Sequence, residues 1–267
     1  MKQFKLLVAL ATITLLFQNC NHFSAAGLSS HGQPIKEVQG KLTASPTISS
    51  VTLDHSTWDA LLKKHVDGNG IVDYKGFEKD RATLTAYLQL LSAQEPTDGW
   101  SVQELLAYYI NVYNAFTIHA ILDHYPVKSI KDISGVWTKG SVPIGDNNLS
   151  LAGVENGVLR KMNEPRIHFA INCASLSCPK LLNEAYTAAK IDEQLERATR
   201  EFINGDNNDL SKSNPTLSSI FDWYAKDFKV KGKEDLIGYI NIYSTIEIDE
   251  KAELHYKAYN WDLNEQD

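Results

Sequence analysis

The run Arg166-Ile167-His168-Phe169-Ala170-Ile171-Asn172-Cys173-Ala174-Ser175-Leu176-Ser177-Cys178-Pro179 carries residue types suited to nucleophilic catalysis. In such chemistry a thiolate attacks a carbonyl, an imidazole takes up the proton, and an amide or carboxylate orients the imidazole. Cys173 is the candidate nucleophile, His168 or His119 the base, and Glu155 or Asn114 the orienting group. The reaction class is hydrolysis or acyl transfer. One spacing argues against it. His168 and Cys173 are five residues apart and fall on opposite faces of any strand continued through both. The loop after Asn172 must then turn Cys173 round. No Gly-x-Cys run opens a strong helix either, and the one histidine downstream of Cys178 is His255.

Cys173 and Cys178 are the only cysteines after Cys20. In an oxidising compartment two cysteines this close can pair as a disulfide. The alternative is two free thiols, one of them reactive. There is no paired Cys-x-x-Cys pattern, and His119, Glu155 and His168 lack metal-ligand spacing, so neither metal nor cofactor is expected.

His65 to Phe77, HVDGNGIVDYKGF, has the outline of a calcium loop. With Gly70 at loop position 6, Asp67 and Asn69 take positions 3 and 5. Position 1 is then His65 and position 12 is Gly76, so the first acid and the closing bidentate carboxylate are both missing. A turn between two helices is expected, without tight calcium binding.

These residues need elements to position them. Helical periodicity marks Thr57–His65, Phe77–Leu91, Ile191–Ile203, Leu217–Phe228 and Glu234–Tyr243. The strongest helix is Ser101–His124, where Ser101 and Glu104 form a capping-box signature. It is apolar or aromatic almost all round and is therefore expected at the centre of the domain. Asn111, Asn114 and His119 are its informative polar members. Short strands are expected at 141–145 and 149–151, a helix at Ala152–Met162 carrying Glu155 and Arg160, and an alternating strand at Arg166–Asn172. The class is α+β: a helix-rich single domain with a central buried helix and a small sheet.

Apolar residues make up 43% of the chain, charged residues 22%, and the formal charge is -7. That composition builds an ordinary core, and without a basic stripe no nucleic-acid partner is expected. Lys2 and Lys5 precede a short apolar run, Leu6 to Phe17, which reads as an export signal over 1–20. Cys20 follows as the candidate lipidation site, with a cleaved signal near Ser24-Ala25-Ala26 as the alternative. The expected location is the bacterial cell envelope, as a periplasm-facing or surface lipoprotein whose membrane partner is engaged through Cys20. Residues 21–50 are expected to be a flexible tether, and 51–267 the domain.

Five stretches together carry a resemblance. YYINVYNAFTIHAIL (108–122), LSLAGVENGVLR (149–160), PRIHFAINCASLSCPKL (165–181), SIFDWYAKDF (219–228) and YNWDLN (259–264) resemble, in this order, the bacterial domain of unknown function 547 family. The resemblance spans about residues 55–264 and implies a turn at GNGIVDYKGF. It implies no established activity. Plant relatives do not all keep the two cysteines, and Val154-Glu155-Asn156 stands where bacterial relatives often carry Ile-Glu-His. The polar residues in these motifs are Asn111, Asn114, His119, Glu155, Arg160, Arg166, His168, Asn172, Cys173, Ser175, Cys178 and Asn264. Two readings stand beside cysteine catalysis. In one, the motif residues and the tryptophans Trp100, Trp137, Trp223 and Trp261 form a cleft for a small-molecule, peptide or glycan ligand. In the other, they form a structural polar network in which Arg160 or Arg166 pairs with Glu155.

Overall fold

The computed structural model describes residues 28–40, 42 and 49–266. The export signal, Cys20 and the start of the tether lie outside the described residues. The fold is organised by the helix Val102–Leu122. The Ser101 hydroxyl accepts the Glu104 amide at 3.1 Å, satisfying one of the free donors at the helix start. The Glu104 carboxylate does not return to Ser101; it accepts the Leu53 amide at 2.8 Å and ties the preceding segment to the cap. By length and hydropathy this helix is apolar enough to cross a membrane, but it is almost wholly enclosed by its own domain. It is the core helix of the fold.

Around it pack the helices Ser56–His65 and Arg81–Ser92, with a short helix Tyr74–Lys79 between them. The expected single helix from Phe77 is interrupted at Asp80, whose side chain is drawn to His65 and Lys64. Among the described residues the strands form three separate two-stranded ladders. Val142–Ile144 pairs antiparallel with Asn147–Leu149, Thr216–Leu217 parallel with His255–Tyr256, and Lys229–Val230 antiparallel with Lys233–Glu234. The molecule is therefore helix-rich α+β, as the periodicity implies, with its strand content dispersed.

Several local expectations are overturned. Arg166–Asn172 is not a strand: Pro165–Phe169 is a 3-10 turn, followed by Ala170 in helical conformation. Pro165 at the first position fixes φ, and the Glu164 carboxylate accepts the Arg166 amide at 3.2 Å, so a helix-start signal outweighs the alternation. The opposite-faces objection to His168 and Cys173 therefore lapses. Ala152–Met162 is a π-helical turn Gly153–Val158 followed by a 3-10 turn Leu159–Met162. Leu217–Phe228 shortens to the helix Ile220–Trp223 and a 3-10 turn Ala225–Asp227.

The tether expectation also fails over residues 28–40. Val38 and Leu42 are buried, the Val38 amide donates to the Met162 carbonyl at 2.7 Å, and the Tyr109 hydroxyl donates to Gln33 at 3.1 Å. Gly157 leaves room for this strap: a Cβ there would stand 2.8 Å from the Ser30 nitrogen. A polar composition suggested free chain, but its few apolar residues find sites on the domain.

Among the described residues, most buried apolar side chains fall into two clusters. The larger surrounds the central helix. The smaller is built on Phe169, Phe202, Phe221, Phe228 and Tyr239.

Candidate functional site

The central helix fixes the loop that follows Ala170. The Asn114 side chain donates to the Ala170 carbonyl at 3.0 Å and accepts the Asn172 amide at 2.8 Å. Asn172 then spans the loop. Its Nδ2 donates to the Pro179 carbonyl at 2.7 Å and its Oδ1 accepts the Ala174 amide at 2.8 Å. Ala174 takes a left-handed conformation, φ +59°, and the Cys178 amide closes a turn onto the Ser175 carbonyl at 3.0 Å. The C-terminal segment braces the outer side, where the Leu176 amide donates to Asp262 and that of Ser177 to Asn260. These asparagines are buried and their amides are spent on backbone, as buried polar groups must be.

This scaffold presents Cys173 to a cleft of about 250 Å³, where side chains of both apolar clusters meet. Glu155, His168 and Cys178 line the same cleft. Its walls are Tyr113, Trp137, Trp223, Tyr224, Tyr259 and Trp261. Trp223, Tyr259 and Trp261 form a contiguous aromatic surface, with ring centroids 4.6 to 6.0 Å apart, and Trp223 is 48% exposed.

The Cys173 sulfur contacts the Ser175 hydroxyl at 3.1 Å, the Tyr259 hydroxyl at 3.3 Å and the Cys178 thiol at 2.7 Å. Burial pushes this thiol up, but the hydrogen bonds with Cys178, Ser175 and Tyr259 outweigh it, and the thiol sits below its ordinary range. Cys178 goes the other way: burial, then the bond to Cys173 and its charge, raise it well above that range. Both cysteines are free thiols in the structure.

His168 does not contact the sulfur through its Nε2, which lies 2.8 Å from Asp227 Oδ2. The His168 ring stacks on Tyr224 at 4.0 Å. Burial pushes the Asp227 carboxyl up, yet hydrogen bonds from His168 and Arg160 hold it far below the usual carboxylate range. The Glu155 carboxylate accepts the Tyr224 hydroxyl at 2.6 Å. Burial, with Glu155 adding to it, drives that phenol upward, so Tyr224 stays protonated and can donate.

The structure thus brings Cys173, Cys178, Glu155, His168, Asn172 and Ser175 to one place, with Asn114 beneath it. Arg160 joins at one remove, through Asp227 at 2.6 Å. The expected pairing of Arg160 or Arg166 with Glu155 does not form. Arg160 pairs with Asp227, and Arg166 pairs with Glu164 at 2.7 Å and Asp192 at 2.9 Å, away from the cleft. Asn111 is also elsewhere, clamping Tyr186 through its amide and carbonyl at 3.1 and 2.7 Å. His119 stands 3.4 Å from Asp123 and does not line the cleft. Asn264 donates to Gly70 and Asn172 and accepts from Tyr74, supporting the loop from behind. Among the described residues no group of three or more His, Cys, Asp and Glu side chains is placed to hold a metal ion. Sequence reasoning missed Tyr224, Asp227 and Tyr259. All three lie in motif stretches, but nothing in their spacing announces that they reach back to Cys173, Glu155 and His168.

Residues 97–203 match the family model described as "Protein of unknown function, DUF547". This segment is a DUF547 domain. The match contains the central helix, Glu155, His168 and both cysteines. The cleft is completed by residues beyond the match, Tyr224, Tyr259 and Trp261, with Asp227 behind His168. No curated protein and no solved structure matches the chain.

Proposed function

We propose that the cleft is a ligand-binding site of an exported envelope protein, anchored to the membrane by lipid on Cys20. The ligand class is a small molecule, peptide or glycan that presents a flat or apolar face. The observation that carries this reading is the contiguous aromatic surface of Trp223, Tyr259 and Trp261 beside a floor of few polar groups. An aromatic wall with sparse, fixed polar groups is the usual composition of a small-ligand site. Titration of peptides and oligosaccharides against tryptophan fluorescence tests it. A saturable change that weakens in Trp223→Ala is expected. Unchanged affinity in that variant removes the reading, because Trp223 is the most exposed aromatic of the cleft. The anchor is tested separately by the mass of the mature chain, which must begin at lipid-modified Cys20.

A second reading is a cysteine-dependent hydrolase or acyl transferase. It is favoured by one observation: Cys173, His168 and Glu155 share the cleft, and the Cys173 thiol is held down. Cys173 would attack an acyl carbon. His168, oriented by Asp227 through Nε2, has only its Nδ1 left for proton transfer. Ester hydrolysis that survives Cys173→Ala at full rate would remove this reading.

A further inference from the structure

In neither reading does Cys178 itself react. It is almost wholly buried, its thiol donates to the Cys173 sulfur at 2.7 Å, and its own sulfur accepts the Cys173 amide at 2.8 Å. Cys173 is half-buried. Both line the cleft. The two sulfurs are held together by design of the loop, since Asn172 ties down Ala174 at one side and Pro179 at the other. A disulfide needs its sulfurs to close to about 2.05 Å, a small step from this contact. We propose that this pair performs thiol–disulfide exchange on a disulfide-bearing substrate that enters the cleft, with Cys173 attacking and Cys178 resolving.

The steps balance without a further oxidant. The Cys173 thiolate attacks one sulfur of the substrate disulfide, that S–S bond breaks, and one substrate thiolate leaves. A mixed disulfide now joins Cys173 to the second half of the substrate. Cys178 loses its proton to water in the cleft, and its thiolate attacks the Cys173 sulfur. The mixed disulfide breaks, the second substrate thiolate leaves, and a Cys173–Cys178 disulfide remains. The substrate disulfide is reduced by two electrons and the cysteine pair is oxidised by two. A thiol reductant restores the pair by the same steps in reverse.

The asymmetry of the pair suits this order. An attacking thiol benefits from being ionised near ambient pH and must be reached from outside. Ser175 and Tyr259 stand around the Cys173 sulfur where they stabilise its thiolate. Cys178 is protected and protonated at first, in part by the charge and hydrogen bond of Cys173. Once Cys173 is tied up in the mixed disulfide, that charge is gone and Cys178 ionises more readily. The resolving step is therefore timed by the first. The proposal does not rest on the aromatic ligand-binding reading, because loss of affinity in Trp223→Ala leaves it standing. It also separates from the hydrolytic reading, in which Cys178 supports the Cys173 thiolate but forms no covalent bond.

The test uses the full reduced chain carrying Cys20→Ser, so that only the two site thiols react, and dithiobis-nitrobenzoate as the probe. The expected result is release of two coloured thiolates per chain, no reagent retained, and a Cys173–Cys178 disulfide found by peptide mass mapping. Retention of one or two reagent groups by this chain overturns the proposal, and needs no further variant to interpret. With Cys178→Ala, one thiolate is released and one group stays on Cys173, more slowly than in the parent because the Cys178 hydrogen bond to the Cys173 sulfur is gone. With Cys173→Ala, reaction slows at least roughly tenfold, as expected because the remaining Cys178 thiol is buried. First labelling at Cys178 in the parent chain contradicts the assigned order.

Discussion

The loops 65–73 and 172–179 are both runs of small polar residues, and Asn264 touches both. Their polar atoms are used in opposite ways. In the first loop Asp67 accepts the Asn69 and Ile71 amides at 2.8 and 2.9 Å, and Asp73 accepts the Gly76 amide at 2.7 Å as a helix cap. Its carboxylates are thus engaged by its own backbone in a turn. In the second loop the closing work falls to Asn172 and Asn114, buried amides that take up the backbone groups. That leaves Cys173 free to face the cleft. A calcium-like pattern became a turn because its acceptors satisfy the chain itself. A plain stretch of Cys, Ala and Ser became a loop that turns Cys173 to the cleft because other residues satisfy the chain for it.

Removing the closing residue of the second loop should have the largest effect. Asn172→Ala leaves the Pro179 carbonyl and the Ala174 amide without partners, at roughly 3 kcal/mol in all, from about 1–3 kcal/mol for each buried unpaired group. Denaturant unfolding measures it. A loss below about 1 kcal/mol would mean that the loop holds itself, and the contrast between the loops would go.

The matching change in the first loop is Gly70→Ala. Gly70 has φ +80°, and a Cβ there would stand 2.8 Å from the Lys180 Cα, backbone that cannot swing aside. A cost of about 2 kcal/mol is expected. Exposed Asn69→Ala should stay within about 0.5 kcal/mol. Equal effects at the two positions would show that close packing of the loops on each other is not what selects glycine.

Acid stability sharpens the account of the cleft. The Asp227 carboxyl is depressed in the folded chain, against about 3.9 when unfolded. Its contribution is therefore fully present above about pH 4 and is lost as pH falls through the folded value. The parent chain should lose stability steeply below about pH 4, and Asp227→Asn, less stable at neutral pH, should show a shallower fall. Parallel curves would remove Asp227 from the His168–Arg160 network. The smallest effect is expected from calcium: millimolar calcium should leave the melting temperature unchanged, in the parent and in Asp67→Ala alike. A rise in the parent that disappears in Asp67→Ala would restore the metal-loop reading.

Much of this arrangement was legible in the residues. The central helix announced itself by its length and by Ser101 and Glu104, the hairpin by its turn residues, and the buried asparagines by being polar in an apolar run. Cys173, His168 and Glu155 were assembled by residue type alone, and they do line one cleft. What was not legible depended on contacts between distant segments. Alternation at 166–172 looked like a strand, and only the cap at Glu164 and Pro165 shows why it is not. The partners of the central polar groups come from short irregular segments, Tyr224 and Asp227 near one turn and Tyr259 near the end. Such segments have no period to read. The strap at 28–40 was hidden by its composition, since one buried apolar side chain, Val38, and a few hydrogen bonds hold it.

The central claim is that one thiol of the pair is open and activated while the other is protected. Alkylation with iodoacetamide from about pH 6 to 9, followed residue by residue by mass spectrometry, tests this most directly. Cys173 should react at least roughly tenfold faster than Cys178, with its inflection below the ordinary thiol value of about 8.5. Equal rates, a faster Cys178, or a Cys173 inflection above that value would contradict the account.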